Sequence, residues 1–238
     1  MKIALIGYGK MGKAIEEIAL AKGHENELRI SQENLETFTT EHIQQADVCI
    51  EFSTPHTAFA NVKKCLEAGV PTVCGSTAWL EHLEEANALC LATNTAFLYA
   101  SNFSVGVNLF FKINKMVAAL MKLHPEYNVC MEEIHHTQKK DAPSGTAVTL
   151  AEGILENNDV KTHWVNNANT VAEALTIISK RIDPAPGTHT IQYDSDIDSI
   201  TLTHTAHSRK GFASGALLAA EFLHTKKGVY TMDDVLKL

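Results

Sequence analysis

The stretch EEIHHTQKKDAPSGTA, from Glu132 to Ala147, places two glutamates, two histidines and two lysines ahead of a Pro-Ser-Gly turn. Such a cluster suits proton transfer near neutral pH and the holding of an anion, because histidine titrates there and lysine supplies positive charge. Side chains alternate along a strand. YNVCMEEIHH therefore puts Glu133 and His135 on one face with Val129 and Met131, and Glu132 and His136 on the other with Cys130 and Ile134. The two histidines point apart and make no chelating pair. No zinc-type spacing follows, and His204 and His207 belong to a distant strand, so no metal is expected. Pro143 and Ser144 suit the entry to a helix, which puts Gly145 and Thr146 in or near its first turn. A helix start attracts carboxylate or phosphate. With Lys139 and Lys140 just before it, the segment fits a small acidic substrate that must receive a proton. A solvated loop before a well-capped helix is the plainer alternative, but it has to explain all of these features together.

A second stretch, ALIGYGKMGKAI, spaces Gly7, Gly9 and Gly12 as G-x-G-x-x-G between an apolar run and a helical pattern. Gly7 permits a tight turn, Gly9 admits a pyrophosphate to the backbone, and Gly12 allows close helix–strand packing. Lys10 and Met11 open the helix whose N–H groups would meet the anion. The acid that usually holds the ribose follows about 20 residues on. Here the segment is RISQEN, and Glu33 is its nearest carboxylate. Glu33 favours NADH, since a 2′-phosphate would meet like charge. Arg29 would serve a phosphate if its side chain turned that way, so NADH and NADPH both stay open.

The elements that must position these residues change character along the chain. KIALI, ELRIS, ADVCIEFS, VPTVCGST and AFLYASNFS read as strands. They alternate with helices in KAIEEIALAKG, from Thr57 to Ala68, and in AWLEHLEEANALC. That alternation predicts an α/β domain, a Rossmann-type parallel sheet covered on both faces. After about residue 105 comes a long helix, Val107 to Met121, then the strand YNVCMEEIHH and a helix from Thr146 to Glu156. The strands ALTIISKRI, THTIQYDS and SITLTHTA follow, the last two forming a hairpin. This is an α+β unit with a mixed sheet. A closing helix, GALLAAEFL, and a tail, YTMDDVLKL, end the chain. The expected division is 1–104 with 212–238 for the first domain and 105–211 for the second.

The bulk numbers exclude several classes. A charge of −8 argues against nucleic acid as the main partner, because phosphate contacts need a basic face. Apolar residues at 45% and charged residues at 20% fit a globular protein rather than a disordered one. There is no apolar run of membrane-spanning length, and the N-terminus has no signal-peptide pattern. Cys49, Cys65, Cys74, Cys90 and Cys130 are scattered, apolar in context and without a Cys-x-x-Cys pair. They read as buried thiols of a reducing compartment, so a cytoplasmic location is expected.

The Glu132–Ala147 segment closely resembles the signature of the dihydrodipicolinate reductase family, also called 4-hydroxy-tetrahydrodipicolinate reductases, which reads E-x-H-H-x-x-K-x-D-A-P-S-G-T-A. Glu133, His135, His136, Lys139 and the run Asp141 to Ala147 match it. EFSTP, with Phe52 and Ser53, GST at Gly75, Ser76 and Thr77, and ASNFSVGVN, with Ala100, Ser101, Asn102 and Phe103, resemble the family's cofactor-side loops. SRKGFASGA resembles its return into the first domain, so the likeness covers nearly the whole chain. The glycine loop is one residue shorter than the family's frequent G-x-x-G-x-x-G, and the acid–base pair some members carry after the second strand is missing. Both departures bear on nucleotide preference. The resemblance implies hydride transfer from NADH or NADPH to a cyclic unsaturated dicarboxylic imine, with loss of water. It implies that His135 is the general acid, assisted by Lys139. His136, Gly145 and Thr146 would bind a substrate carboxylate, and Ser101, Asn102 and Phe103 would face the nicotinamide. A second domain serving oligomerisation, in a homotetramer joined through its sheets, is implied as well.

Overall fold

The computed structural model describes residues 1–208 and 210–238. The chain divides into two compact units, Met1–Val105 with Lys210–Leu238, and Gly106–Arg209.

In the first unit, β1 (Lys2–Ile6), α1 (Lys10–Ala21), β2 (Glu25–Ile30), α2 (Thr40–Ile43), β3 (Val48–Glu51), α3 (Pro55–Glu67), β4 (Thr72–Cys74), α4 (Leu83–Ala92) and β5 (Ala96–Tyr99) follow one another. All neighbouring strands here are parallel. Strands in such a sheet are buried on both faces, which is why VCIE of β3 and TVC of β4 are apolar or fully buried throughout. The expected Rossmann-type α/β architecture is met. Several bounds differ from the sequence reading: ADVCIEFS is strand only over Val48–Glu51, AFLYASNFS only over Ala96–Tyr99, and the strand of ELRIS begins at Glu25 and ends at Ile30. VPTVCGST is strand only over Thr72–Cys74, and Gly75–Thr77 is loop. AWLEHLEEANALC does not form one helix. A 3-10 turn over Leu80–His82 precedes α4, because Ala78 takes a left-handed φ of 60° and the Trp79 indole donates to the Ser76 carbonyl at 2.8 Å.

The second unit holds α5 (Val105–Met121, its first residue in the first unit), β6 (Asn128–His135), α6 (Gly145–Leu155), β7 (His163–Val165), β8 (Ala174–Arg181), β9 (Gly187–Asp194) and β10 (Ser199–Ala206). Their sheet runs β10-β9-β6-β8-β7. β6 is antiparallel to β9 and parallel to β8, so the sheet is mixed, as expected. The hairpin pairs Ser199 with Asp194 through to Ala206 with Gly187. Alternation in β6 sends Val129, Met131, Glu133 and His135 inward. The two apolar residues join a core with Leu150 and Ile154 of α6 and Ile177 and Ile191 of the sheet.

The chain then re-enters the first unit as α7 (Lys210–Leu223), β11 (Gly228–Tyr230) and α8 (Met232–Leu236). α7 buries Ala213, Ala216, Leu217, Ala220 and Leu223 in the main core against β1, β3 and β5. The tail is ordered: β11 pairs in parallel with β5 and completes a six-stranded sheet. A three-residue strand carries too little periodicity to be seen in the sequence. Among the described residues, no helix is long and apolar enough to cross a membrane.

Candidate active site

The glycine loop is built as its spacing requires. Gly7 sits at φ 96°, and a Cβ on it would fall 2.2 Å from the Phe52 carbonyl oxygen. A Cβ on Gly12 would fall 2.6 Å from the Gly7 carbonyl oxygen. Gly9 differs: a Cβ there would meet nothing within 4 Å. Gly9 is also the N-cap of α1 and supplies no side-chain cap, so the first turn, with Lys10 and Met11, faces outward with its electropositive end. Gly7, Gly9, Glu33, Phe52 and Ser53 line a cavity of about 950 Å³, together with Tyr8, Lys13 and Asn61, which the motif alone did not point to. Open backbone at a helix start beside a cavity of this size suits a dinucleotide. Arg29 is turned elsewhere, with its Nε donating to Glu16 of α1.

The other loops named for the cofactor lie beside this wall rather than in it. The Phe52 ring covers Gly75, where a Cβ would come within 2.2 Å of the ring, and stands 5.7 Å from the Phe103 ring. Phe103 is a core side chain and Ser76 and Asn102 are buried, whereas Ser101 and Thr77 are exposed and Ala100 is half-buried.

In the second unit the ionisable segment resolves around Glu133, whose side chain is fully buried. The backbone N–H of Ser144 donates to both its oxygens at 3.1 Å, and the Ser179 hydroxyl donates at 2.7 Å. His135 Nδ1 stands 3.4 Å away, Arg181 Nη2 3.6 Å and His189 Nε2 3.7 Å. Burial would raise the Glu133 pKa, but the contacts from His189, Ser144 and Ser179 outweigh it, and the carboxyl lies well below the ordinary carboxylate range. His135 behaves in the opposite way. Burial lowers its pKa to about 4, Glu133 opposes this, and His189, Lys139 and Arg181 add to the lowering. Its imidazole is therefore neutral at pH 7 in the unliganded protein. Its Nε2 faces Gly187, where a Cβ would stand only 3.1 Å away.

Ser144 links this carboxylate to α6. Its N–H is held by Glu133, and its Oγ accepts from the Ala147 N–H at 3.1 Å while meeting His189 Nε2 at the same distance. Gly145 and Thr146 form the first turn, as predicted, and the space at the Gly145 Cβ position is open. Lys139 pairs with Asp141 at 2.9 Å. Arg181 donates to the carbonyls of Lys139 at 3.2 Å and Asp141 at 2.6 Å, which ties down the loop that carries the lysine. His136 lies past the end of β6, half-buried, just before Thr137, whose N–H and hydroxyl donate to Asp183 at 3.1 and 2.6 Å.

His189 and Arg181 were not singled out from the sequence, and Glu133 was given no role there. The signal for His189 is its place in THTIQYDS, where alternation puts it inward opposite Glu133 once β6 and β9 are paired. Glu133, His135 and His189 bring ligand atoms within 4.8 Å of one another, so a buried carboxylate–histidine group exists where the spacing along the chain had suggested none. The hydrogen bonds to Glu133 and the neighbouring Arg181 and Lys139 account for this arrangement as an ion-pair network.

Residues 1–103 match the family model described as dihydrodipicolinate reductase, N-terminus, and residues 106–236 the one described as dihydrodipicolinate reductase, C-terminus. A 4-hydroxy-tetrahydrodipicolinate reductase of Christiangramia forsetii is 46% identical over 99% of this chain and 98% of its own length. One from Helicobacter hepaticus is 34% identical over the full length of both chains. Among solved structures, a dipicolinate-bound dihydrodipicolinate reductase from Paenisporosarcina sp. TG-14 superposes with a TM-score of 0.77 at 25% identity, covering 97% of each chain. With both family models matched across nearly every residue, the chain belongs to the dihydrodipicolinate reductase family.

Proposed function

We propose that the chain reduces 4-hydroxy-tetrahydrodipicolinate to tetrahydrodipicolinate with a reduced pyridine nucleotide and one proton, the 4-hydroxyl leaving as water, a step of lysine and diaminopimelate biosynthesis. The observation that carries this reading is Glu133. One buried carboxylate touches the proposed proton donor, His135, and grips the N-cap of the helix proposed to receive a substrate carboxylate. A relative solved with dipicolinate, a planar dicarboxylate, supports a substrate of that class.

The bound nucleotide supplies the hydride. The chain supplies the proton and the charge balance. His135 is neutral in the unliganded protein, so it must gain a proton as the doubly anionic substrate arrives. Negative charge beside an imidazole favours its charged form, and Glu133 at 3.4 Å already acts in that direction. Nε2, on the Gly187 side, is the nitrogen that delivers the proton, because Nδ1 faces Glu133. Lys139 assists by donating a proton or by holding substrate charge. His136 and the Gly145–Thr146 turn bind a carboxylate, with the dipole of α6 adding to the attraction.

Gly7, Gly9, Lys10, Met11 and Gly12 receive the pyrophosphate, and Phe52, Ser53 and the loops Gly75–Thr77 and Ala100–Phe103 border the nicotinamide half. We assign NADH as the preferred donor. Glu33 lines the cavity, where it would hold a ribose hydroxyl and repel a 2′-phosphate. A cytoplasmic homotetramer joined through the mixed sheets completes the proposal. The exposed edge strand β10 supports it, since among the described residues β9 is its only strand partner.

The test is steady-state oxidation of NADH and of NADPH, with substrate generated in place from pyruvate and aspartate semialdehyde by the preceding aldolase. Oxidation that needs both precursors, faster with NADH, is the expected result. A folded protein that binds nucleotide and oxidises neither would overturn the reductase reading in favour of a nucleotide sensor.

A further inference from the structure

Three donors converge on Glu16, on α1 one turn beyond Lys13. Its Oε1 accepts from the Asn26 amide at 2.9 Å and from Arg29 Nε, and its Oε2 accepts from the Tyr8 hydroxyl. Arg29 is held at a second point, where Nη1 donates to the Asn26 carbonyl at 3.4 Å. Glu16 is the more buried partner, with 15% of its side chain exposed against 43% for Arg29. Burial would raise the Glu16 pKa, yet these hydrogen bonds lower it, and they raise that of Arg29, so the pair is charged at neutral pH.

The placement gives this pair a use. Tyr8, Lys13, Ser31 and Glu33 line the nucleotide cavity, whereas Arg29, in β2 two residues before Ser31, does not. Arg29 is also the only arginine before Arg181 in the sequence. A guanidinium at the end of β2 is the group that recognises a ribose 2′-phosphate, because its planar fork matches phosphate oxygens. We propose that Glu16 determines nucleotide selectivity by sequestering Arg29, which leaves Glu33 to face the ribose and a 2′-phosphate without its cation. This rests on the reading that the cavity takes a reduced pyridine nucleotide. The clamp lies on α1 and β2, away from the residues assigned to chemistry, so it sets which nucleotide is used and not what is done with it.

The experiment measures kcat/KM for NADH and NADPH in the wild type, Glu16→Gln, Arg29→Met and the double variant. Glu16→Gln removes the charge that holds the guanidinium and should raise the NADPH-to-NADH ratio about tenfold, the effect of one charge-assisted contact. Arg29→Met alone should leave the ratio unchanged, since Arg29 is not in use. The double variant should return to the wild-type ratio. An unmoved ratio in Glu16→Gln overturns the proposal. So does a fall in NADPH use in Arg29→Met, which would mean that Arg29 already reaches the phosphate. If Glu16→Gln does not fold, Glu16→Asp, which keeps the charge but draws the carboxylate back from Arg29, should raise the same ratio, and an unmoved ratio there overturns the proposal. Direct titration of NADH and NADPH by nucleotide fluorescence reads the same ratios without turnover. A protein that shows the clamp in binding but oxidises neither nucleotide would count against the reductase reading and not against the clamp.

Discussion

The two ends of the proposed reaction are built from different materials. The nucleotide wall of the first unit is backbone: a turn at positive φ, a helix start without a side-chain cap, and a glycine with nothing within 4 Å of its Cβ position. The acid site of the second unit is side chain: Glu133 at its centre, with His135, Ser144, Ser179, Arg181 and His189 drawn from β6, β8, β9 and the start of α6. Backbone can approach a pyrophosphate without holding a protonation state. A proton donor needs a tuned environment, and tuning requires charges gathered from several strands and shielded from water.

The largest effect should come from breaking the side-chain site at its centre. Glu133→Ala leaves the Ser144 N–H and the Ser179 hydroxyl without their acceptor and Arg181 without its carboxylate counter-charge. Loss of one member of a buried ion pair costs about 3–5 kcal/mol, so chemical denaturation should show a loss of that size. Glu133→Gln keeps the volume and should fold while losing turnover.

His135→Ala should lower kcat by about a hundredfold or more, with a smaller change in KM. Near-wild-type turnover would remove the proton-donor role. The same residue predicts a pH effect on stability. Its folded pKa of about 4 lies below the ordinary histidine value, so the unfolded chain binds the extra proton between the two. Stability should therefore fall with falling pH across that window, with a slope of up to about 1.4 kcal/mol per pH unit. Thermal melts of His135→Gln should lose that slope. The Glu133 carboxylate, whose pKa is depressed, gives stability that is complete above the ordinary carboxylate value and is lost only in strong acid.

On the backbone side, Gly9→Ala separates fold from ligand. Its Cβ enters open space, so the melting temperature should hold while nucleotide affinity drops about tenfold. Gly7→Ala should instead fail as a fold, because its Cβ would overlap the Phe52 carbonyl. Equal behaviour of the two variants would break the comparison. The smallest expected effect is Ser144→Ala, which loses a helix cap worth about 1 kcal/mol, readable as a shifted denaturation midpoint.

The same contrast explains what could be read from the sequence. Gly7, Gly9 and Gly12 act over a few consecutive residues, so their spacing is their geometry. β6 could be oriented because alternation fixes the faces of a strand, and Glu133 and His135 do point inward together. His189 could not be attached to them, because the pairing of β6 with β9 is decided by tertiary structure across more than 50 residues of chain. Arg29 was ambiguous for a related reason: its partner, Glu16, sits on another element, and sequence does not say which way a long side chain turns. The irregular Ala78–His82 segment escaped because one positive φ and one indole hydrogen bond overrode a helical pattern. β11 escaped because three residues show no period.

That late strand has a consequence for how the protein is made. The first unit takes α7 and the edge strand β11 from the last residues of the chain, and α7 fills much of its main core. The second unit is one uninterrupted stretch, Gly106–Arg209. On a ribosome the inserted unit can close as soon as it emerges, while the surrounding one, begun first, waits for the C-terminus. Truncation at the 3′ end of the message would therefore yield a finished acid site joined to a nucleotide domain with an open sheet edge, a species suited to aggregation and to removal by proteases.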